Sequence, residues 1–259
     1  MQCPAADYQA GSVSFRAECP APSPQDWLMQ EDPLALARRF DQMLEQASND
    51  GLGPFAEHDP ITHMRIEEMV LRYADAGVFP PDRLARLTHQ AIDLKLQAYL
   101  IRVDLGVSNT IYFNVVNADP VQAETPRMQL IDLAIQQTLI GKVRVLWERV
   151  INLVYYLETG TELKGRSKKR AFFKMVRGTE RWKWLERYEE VLVEYDDAFR
   201  TPEFHQGSVL RKSLLSGEPI DPNELLAPYN YVFNNVWPNI LEIVGGGSDV
   251  AEPWIQGDG

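Results

Sequence analysis

The stretch TPRMQLIDLAIQQTLIGKVRVLWERVINLVYYLETG, Thr125 to Gly160, constrains this chain more than any other. Thr125 can accept a hydrogen bond from a first-turn N–H, and Pro126 has its φ preset for the first helical position. Gly160 can end the helix because glycine takes the left-handed conformation at no steric cost. Between them Leu130, Ile131, Leu133, Ile135, Leu139, Ile140, Val143, Leu146, Trp147, Val150, Ile151, Val154 and Tyr155 leave almost no wide polar face. Such a helix must have neighbours on most sides. Its polar residues are therefore informative: Arg144, Glu148 and Asn152 recur every four residues and share one stripe. That stripe either lines a polar site or is a set of satisfied core hydrogen bonds.

With 259 residues and 45% hydrophobic composition, the chain can bury a large core. No window has the unbroken apolar length of a membrane span, since even the Thr125 helix carries Asp132, Lys142, Arg144 and Glu148. The first residues show no basic patch followed by an apolar run, so a cytoplasmic location is expected, away from membranes. Cys3 and Cys19 are the two cysteines and both fall in a Pro-rich leader. A buried disulfide or a thiolate metal site is not expected from them.

A net charge of −11 argues against nucleic acid at first sight, but the charge is uneven. Lys164 to Arg187 holds ten Lys or Arg against Glu180 and Glu186, so this segment is +8 and the rest of the chain −19. Lys168, Lys169, Arg170, Lys174, Arg177, Arg181 and Lys183 interleave with Phe172, Phe173, Trp182, Trp184 and Tyr188. Cations with rings between them suit RNA, charge meeting phosphate and rings stacking on bases. The same pattern also fits a basic face docked on the acidic remainder, with its rings in the core.

Residues 1–31 read as a loosely held leader, 32–244 as one all-α domain, and 245–259, opening on Gly245-Gly246-Gly247, as a flexible tail. Asp32-Pro33, Asp59-Pro60, Thr201-Pro202 and Asp221-Pro222 each look like a helix start, as Thr125-Pro126 does. A helix after Pro80-Pro81 is expected to run to Gly106. The basic segment gives a helix over about 167–177, followed by another over 179–199. Pro238 should kink or break the last helix. Ser108 to Asn117, SNTIYFNVVN, is the one stretch rich in strand formers, and reads as a short strand or an extended connector. The fold class is a helical bundle packed around the long central helix, with at most that one extended segment.

One spacing bears on chemistry. Asp196-Asp197-Ala198-Phe199-Arg200-Thr201-Pro202-Glu203-Phe204-His205 sets an Arg and a His five positions apart at an expected helix junction. A guanidinium for phosphate oxygens and an imidazole that titrates near neutral pH make a minimal kit for RNA cleavage. Alternatively, Arg200 pairs with Asp196, Asp197 or Glu203 and His205 sits on a solvated face.

Here the chain resembles the HEPN superfamily, all-α domains whose nuclease members carry an Arg, four to six residues, then a His. Arg200-x4-His205 lies in that window. The context, LWERVINLVYYLETG, Phe172-Phe173, Trp182, Tyr188 and FRTPEFHQGSVLRK, is similar to uncharacterised bacterial HEPN-like proteins over roughly 128–216. The resemblance implies a metal-independent endoribonuclease without cofactor, often a toxin or defence effector, acting as a homodimer and in some cases held by a protein partner or antitoxin. It assigns catalysis to Arg200 and His205. Lys168 to Arg187 would guide RNA, with Arg211 and Lys212 adding phosphate contacts, and Glu148 or Asn152 would orient the pair. The family usually has Asn, Asp or His after the Arg, whereas here Thr201 follows. The alternative is a non-catalytic HEPN-like module that binds a nucleotide, RNA or protein, and a further one is an acidic interaction scaffold.

The other histidines, His58, His63 and His89, have no recognised ligand spacing, and no metal site is assigned. No Gly-rich phosphate loop follows a strand, and Ser208 lacks a hydrolase arrangement.

Overall fold

Pro126 and Gly160 bound the element around which the others are laid. The structure, a computed structural model, describes residues 31–49, 61, 64–77, 79–118, 126–165, 167–201, 203–204, 208–216 and 220–242. The chain divides into Met1–Glu31 and Asp32–Gly259, and the description that follows concerns the second unit. In order, its helices are α1 (Pro33–Asn49), α2 (Ile66–Asp75), α3 (Pro81–Ala118), α4 (Pro126–Thr159) and α5 (Lys168–Gly178). A 3-10 segment (Glu180–Leu185) leads to α6 (Tyr188–Tyr195), which runs into a π turn (Asp196–Arg200). Then come α7 (Val209–Ser216), α8 (Pro222–Tyr231), a second π turn (Val232–Val236) and α9 (Trp237–Glu242). Among the described residues there is no strand, and the fold is all-α.

Over its second half helix α4 is mostly buried, with Val145 and Glu148 on the side left to water. Leu139, Ile140, Val143, Leu146, Trp147, Val150, Ile151, Leu153, Val154 and Leu157 are each in the core. Helices α3, α5, α7 and α8 and the first π turn all pack on it. The most extensive of these contacts is with α3, which runs antiparallel to it. At about 1.5 Å per residue these two helices are roughly 57 and 51 Å long. Polar contacts set their register. Lys142 Nζ meets Asp104 Oδ2 at 2.7 Å, Gln97 Nε2 donates to the Lys142 carbonyl at 3.0 Å, and Arg149 meets Asp93 at 3.2 Å. Arg86 pairs with Glu162 beyond the end of α4.

That end is closed from outside. Gly160 has φ +69° and donates to the Tyr156 carbonyl at 2.8 Å. Arg83 Nη2, from the first turn of α3, donates to the Leu157 carbonyl at 2.6 Å, while its guanidinium lies 4.5 Å over the Phe79 ring. A Cβ on Gly160 would come within 3.3 Å of Arg83 Cζ, so the position needs glycine for its backbone and for its neighbour.

Several boundaries differ from the sequence expectation. Residues 108–117 are not extended: α3 passes Gly106 and continues to Ala118. A single glycine costs a helix about 1 kcal/mol, and β-branched and aromatic residues only tenths more, so an established helix propagates through both. Helix α2 starts at Ile66, preceded by a tight turn in which Met64 N donates to the Ile61 carbonyl at 3.1 Å; Asp59-Pro60 lies outside the described residues. Thr201 starts no helix, since it is itself helical (φ −65°, ψ −47°) and its N–H bonds the Asp196 carbonyl. The last helix continues through Pro238, with a π turn over Val232–Val236 just before it. The Asp32 opener acts as read, its Oδ2 accepting from Ala35 N at 3.0 Å. The leader up to Gln30 and the tail from Ile243 lie outside the described residues.

At the other side of the core, α1, α2 and α3 meet at a buried ion pair. Lys95 Nζ is 2.6 Å from Asp41 Oδ1, the two side chains 8% and 6% exposed, and Asp41 Oδ2 accepts from Glu67 N at 2.9 Å. Burial holds the Lys95 pKa below its ordinary value, against the opposing pull of Asp41. Removing the cation alone strands a buried carboxylate. Lys95→Met should lower stability by about 3 kcal/mol in urea unfolding. Adding Asp41→Asn, which keeps an acceptor for Glu67 N and discards the charge, should restore most of that loss. A single variant as stable as the parent would show that the pair holds nothing together.

Candidate functional site around Arg200

The segment that carries Arg200 is placed by its apolar side. Tyr188, Leu192, Tyr195 and Phe199 recur at helical spacing and are buried, which turns Asp196 toward the edge where α4 and α5 meet. Asp196 is held there by two cations. Lys169 Nζ donates to Oδ2 at 2.9 Å, and Arg144 Nε lies 3.2 Å from Oδ1. The Arg144 and Asp196 side chains are each 15% exposed, so little water screens the contact. It is electrostatic rather than a hydrogen bond, for Arg144 Nε, Arg144 Nη1 and Asp196 Oδ1 are buried without a hydrogen-bond partner. The fourth member is Glu148, whose Oε1 is 3.5 Å from Arg144 Nη2 and whose side chain is half in water. Asn152, one turn further along α4, is half-buried.

The chain beyond Arg200 is tied to α4 as well. Glu203 is buried, and its Oε1 accepts from Gln137 Nε2 on α4 at 2.7 Å. Its Oε2 accepts from Ser208 Oγ at 2.7 Å and from Leu210 N, in the first turn of α7, at 3.3 Å. Ser208 Oγ in turn accepts from Arg211 N at 2.9 Å, a serine N-cap. Gln137, Gly141, Arg144 and Glu148 thus form one stripe down α4, facing Glu203, Phe204 and Asp196 in turn.

Arg200 is half-buried and has no carboxylate within ion-pair distance among the described residues. Of the acids closest to it in sequence, Asp196 is engaged by Arg144 and Lys169 and Glu203 by Gln137, Ser208 and Leu210, and Asp197 is exposed. His205 lies outside the described residues, as do His58, His63, Arg166 and Pro202. His89 is half-buried on α3. Among the described residues no group of His, Cys, Asp and Glu is placed to hold a metal ion, and no helix is long and apolar enough to cross a membrane.

The basic segment divides. Lys168, Arg170 and Lys174 are exposed on α5 with no carboxylate partner among the described residues. Lys169 serves Asp196, Arg177 pairs with Glu189 at 2.5 Å, Arg181 lies 3.8 Å from Glu158, Lys183 lies 3.6 Å from Glu180 and Lys164 lies 3.1 Å from Glu162. Arg211 and Lys212 are exposed on α7. The rings between these cations turn inward: Phe172, Phe173 and Trp182 are fully buried, and Trp182 Nε1 donates to Glu158 Oε2 at 3.0 Å. Trp184 is half-buried.

The Tyr188 and Tyr231 rings lie 3.6 Å apart, tilted by 31°, with Trp147 at 5.8 and 6.3 Å and Arg187 5.4 Å over Tyr188. Burial raises the pKa of both tyrosines. Tyr195 is raised by burial and then by the neighbouring Asp196 charge, and Tyr73 by burial.

Sequence reasoning missed Glu203 and Gln137. The signal was present in part: Gln137 precedes Gly141 and Arg144 at four- and three-residue steps, which extends the polar stripe back along α4. The chain matches no protein-family model, no curated protein and no solved structure.

The four raised tyrosines give a pH prediction. A folded-state pKa above the unfolded value of about 10 means that the folded protein holds the proton more tightly. Their contribution is therefore complete below pH about 10 and lost as pH rises through the raised values. Denaturant midpoints should fall steeply above that pH, with the late part of the phenolate absorbance appearing together with unfolding. Ionisation of every tyrosine in a still-folded protein would contradict the burial.

Proposed function

We propose that this chain is a metal-independent endoribonuclease of the HEPN type, in which Arg200 and His205 act on RNA. The observation that carries the reading is Arg200 itself. Its neighbouring carboxylates Asp196 and Glu203 are bound to α4, α5 and α7, which leaves the guanidinium available for an external anion. An Arg neutralised by Asp196 could not serve as an electrophile.

In the reaction the RNA 2′-oxygen bonds to the adjacent phosphorus as its proton leaves to His205. The phosphorus–5′-oxygen bond then breaks, and the departing oxygen takes a proton. Arg200 offsets the charge that builds on the equatorial phosphate oxygens. The products are a 2′,3′-cyclic phosphate and a 5′-hydroxyl. Lys168, Arg170 and Lys174 offer phosphate contacts for which no carboxylate among the described residues competes, with Arg211 and Lys212 in support. A homodimer would bring two Arg200–His205 pairs to one cleft, and a toxin or defence role with a protein antitoxin is the biological setting this chemistry fits. The reading places the protein in the cytoplasm.

The second reading is a non-catalytic module binding RNA, a nucleotide or a protein through the same surface. What favours it is Thr201, which stands where the nucleases usually have Asn, Asp or His, and the inward-facing rings of the basic segment.

The test is cleavage of a mixed RNA pool in EDTA by the parent, Arg200→Ala and His205→Ala, with the product ends mapped. The nuclease reading expects cyclic-phosphate ends from the parent and at least about a 100-fold loss in each variant, both remaining folded. No cleavage by the parent, or equal cleavage by all three, would leave the binding module.

A further inference from the structure

Glu203 is buried, carries no cation on it among the described residues, and still has all its hydrogen bonds. Its three donors come from two helices and one cap: Gln137 Nε2 on α4 at 2.7 Å, Ser208 Oγ at 2.7 Å and Leu210 N on α7 at 3.3 Å. Two of these donors are themselves committed in direction. Ser208 Oγ accepts from Arg211 N, so its own proton is directed to Glu203, and Leu210 N is one of the free N–H groups that any helix start must satisfy. A carboxylate suits that helix terminus because the helix dipole is positive there. Glu203 therefore joins the last turn of the Arg200 segment to α4 and, at the same time, completes the start of α7.

Covalent geometry extends the consequence. Glu203 is three residues after Arg200 and two before His205, and each residue spans at most about 3.6 Å. Pinning Glu203 therefore restrains the helical turn from which Arg200 projects.

We infer that Glu203 is the positioning residue of the Arg200 turn: its carboxylate holds that turn to α4 and α7 and moves no proton. The inference rests on the nuclease reading for its effect on rate, and on hydrogen bonding alone for its effect on structure.

Three variants of the full chain test it: Glu203→Ala, Glu203→Gln and Gln137→Leu. In Glu203→Gln the new amide oxygen can take over Ser208 Oγ and Leu210 N, and its NH₂ can donate to Gln137 once that amide turns over. Positioning therefore predicts that Glu203→Gln keeps kcat within about threefold of the parent with an unchanged pH–rate profile. It predicts that Glu203→Ala loses about 100-fold in kcat at nearly constant KM, as misplacement of reacting groups by an ångström does. Gln137→Leu should fall between them. Equal inactivity of Glu203→Gln and Glu203→Ala, or a pH–rate limb that disappears in Glu203→Gln, would make Glu203 a proton-transfer group and overturn the inference. So would parental activity in Glu203→Ala.

Amide hydrogen exchange read by mass spectrometry separates this result from the fate of the nuclease reading, because it needs no RNA. Peptides spanning residues 199–212 should lose protection in Glu203→Ala and keep it in Glu203→Gln, while peptides from α3 and α4 stay protected in both. Unchanged protection in Glu203→Ala would refute the anchoring whether or not the parent cleaves RNA. Lost protection with an RNA-inert parent would sustain the anchoring and sink only the nuclease.

Discussion

Helix α4 buries ten apolar side chains between Leu139 and Leu157, and much of the rest of the structure is laid over them. Each of those side chains gains about 1.5–3 kcal/mol by leaving water, so elements on several sides of the helix are worth recruiting. Helix α3 covers one side along its length, and α5, α7, α8 and the first π turn cover others. The polar groups on such a helix then become addresses. A guanidinium largely buried under neighbouring helices, as Arg144 is, must be met by something, and what meets it decides how those neighbours sit. Lys142 and Arg149 set the register of α3, Trp147 Nε1 is met by the Pro228 carbonyl of α8 at 3.1 Å, and Arg144 and Gln137 call in Asp196 and Glu203.

The availability of Arg200 is a by-product of this arrangement. Among the described residues its flanking acids are engaged elsewhere, Asp196 by Arg144 and Lys169 and Glu203 by Gln137, Ser208 and Leu210, which leaves Arg200 without a carboxylate partner there. The protein uses the same device where α1, α2 and α3 meet, with Asp41 accepting from a helix N-terminus and from a side chain of a third element. There the third element supplies an ammonium, and the charge cancels. At Glu203 it supplies an amide, and the charge remains.

What could be read in the sequence was what local chemistry writes. Pro126 and Gly160 bound α4 to within a residue, because N1 proline and left-handed glycine are stereochemical facts of those residues. The basic helix was placed to within a residue for the same kind of reason. Residues 108–117 were misjudged since strand propensity reports a preference for half-buried pleated surfaces, and a helix already propagating outweighs it. Thr201-Pro202 carried a helix-start signal that the turn from Asp196 overrode. In the candidate site, the Arg144–Glu148 stripe was legible. Its partners were not, since Asp196 is 27 residues from Lys169 and Glu203 is 66 from Gln137, and no periodicity encodes such distances.

The closure of α4 by Arg83 has a kinetic side. A helix normally finishes its own C-terminus from residues a turn away, but here the carbonyl of Leu157 is satisfied by a guanidinium 74 positions earlier in the chain. Contacts that span so much sequence form late, because the intervening loop must be closed before they return any free energy. The last turn of the central helix is thus finished only as α3 docks along it. Secondary structure at that point is an outcome of tertiary assembly, and the two are gained or lost in one step.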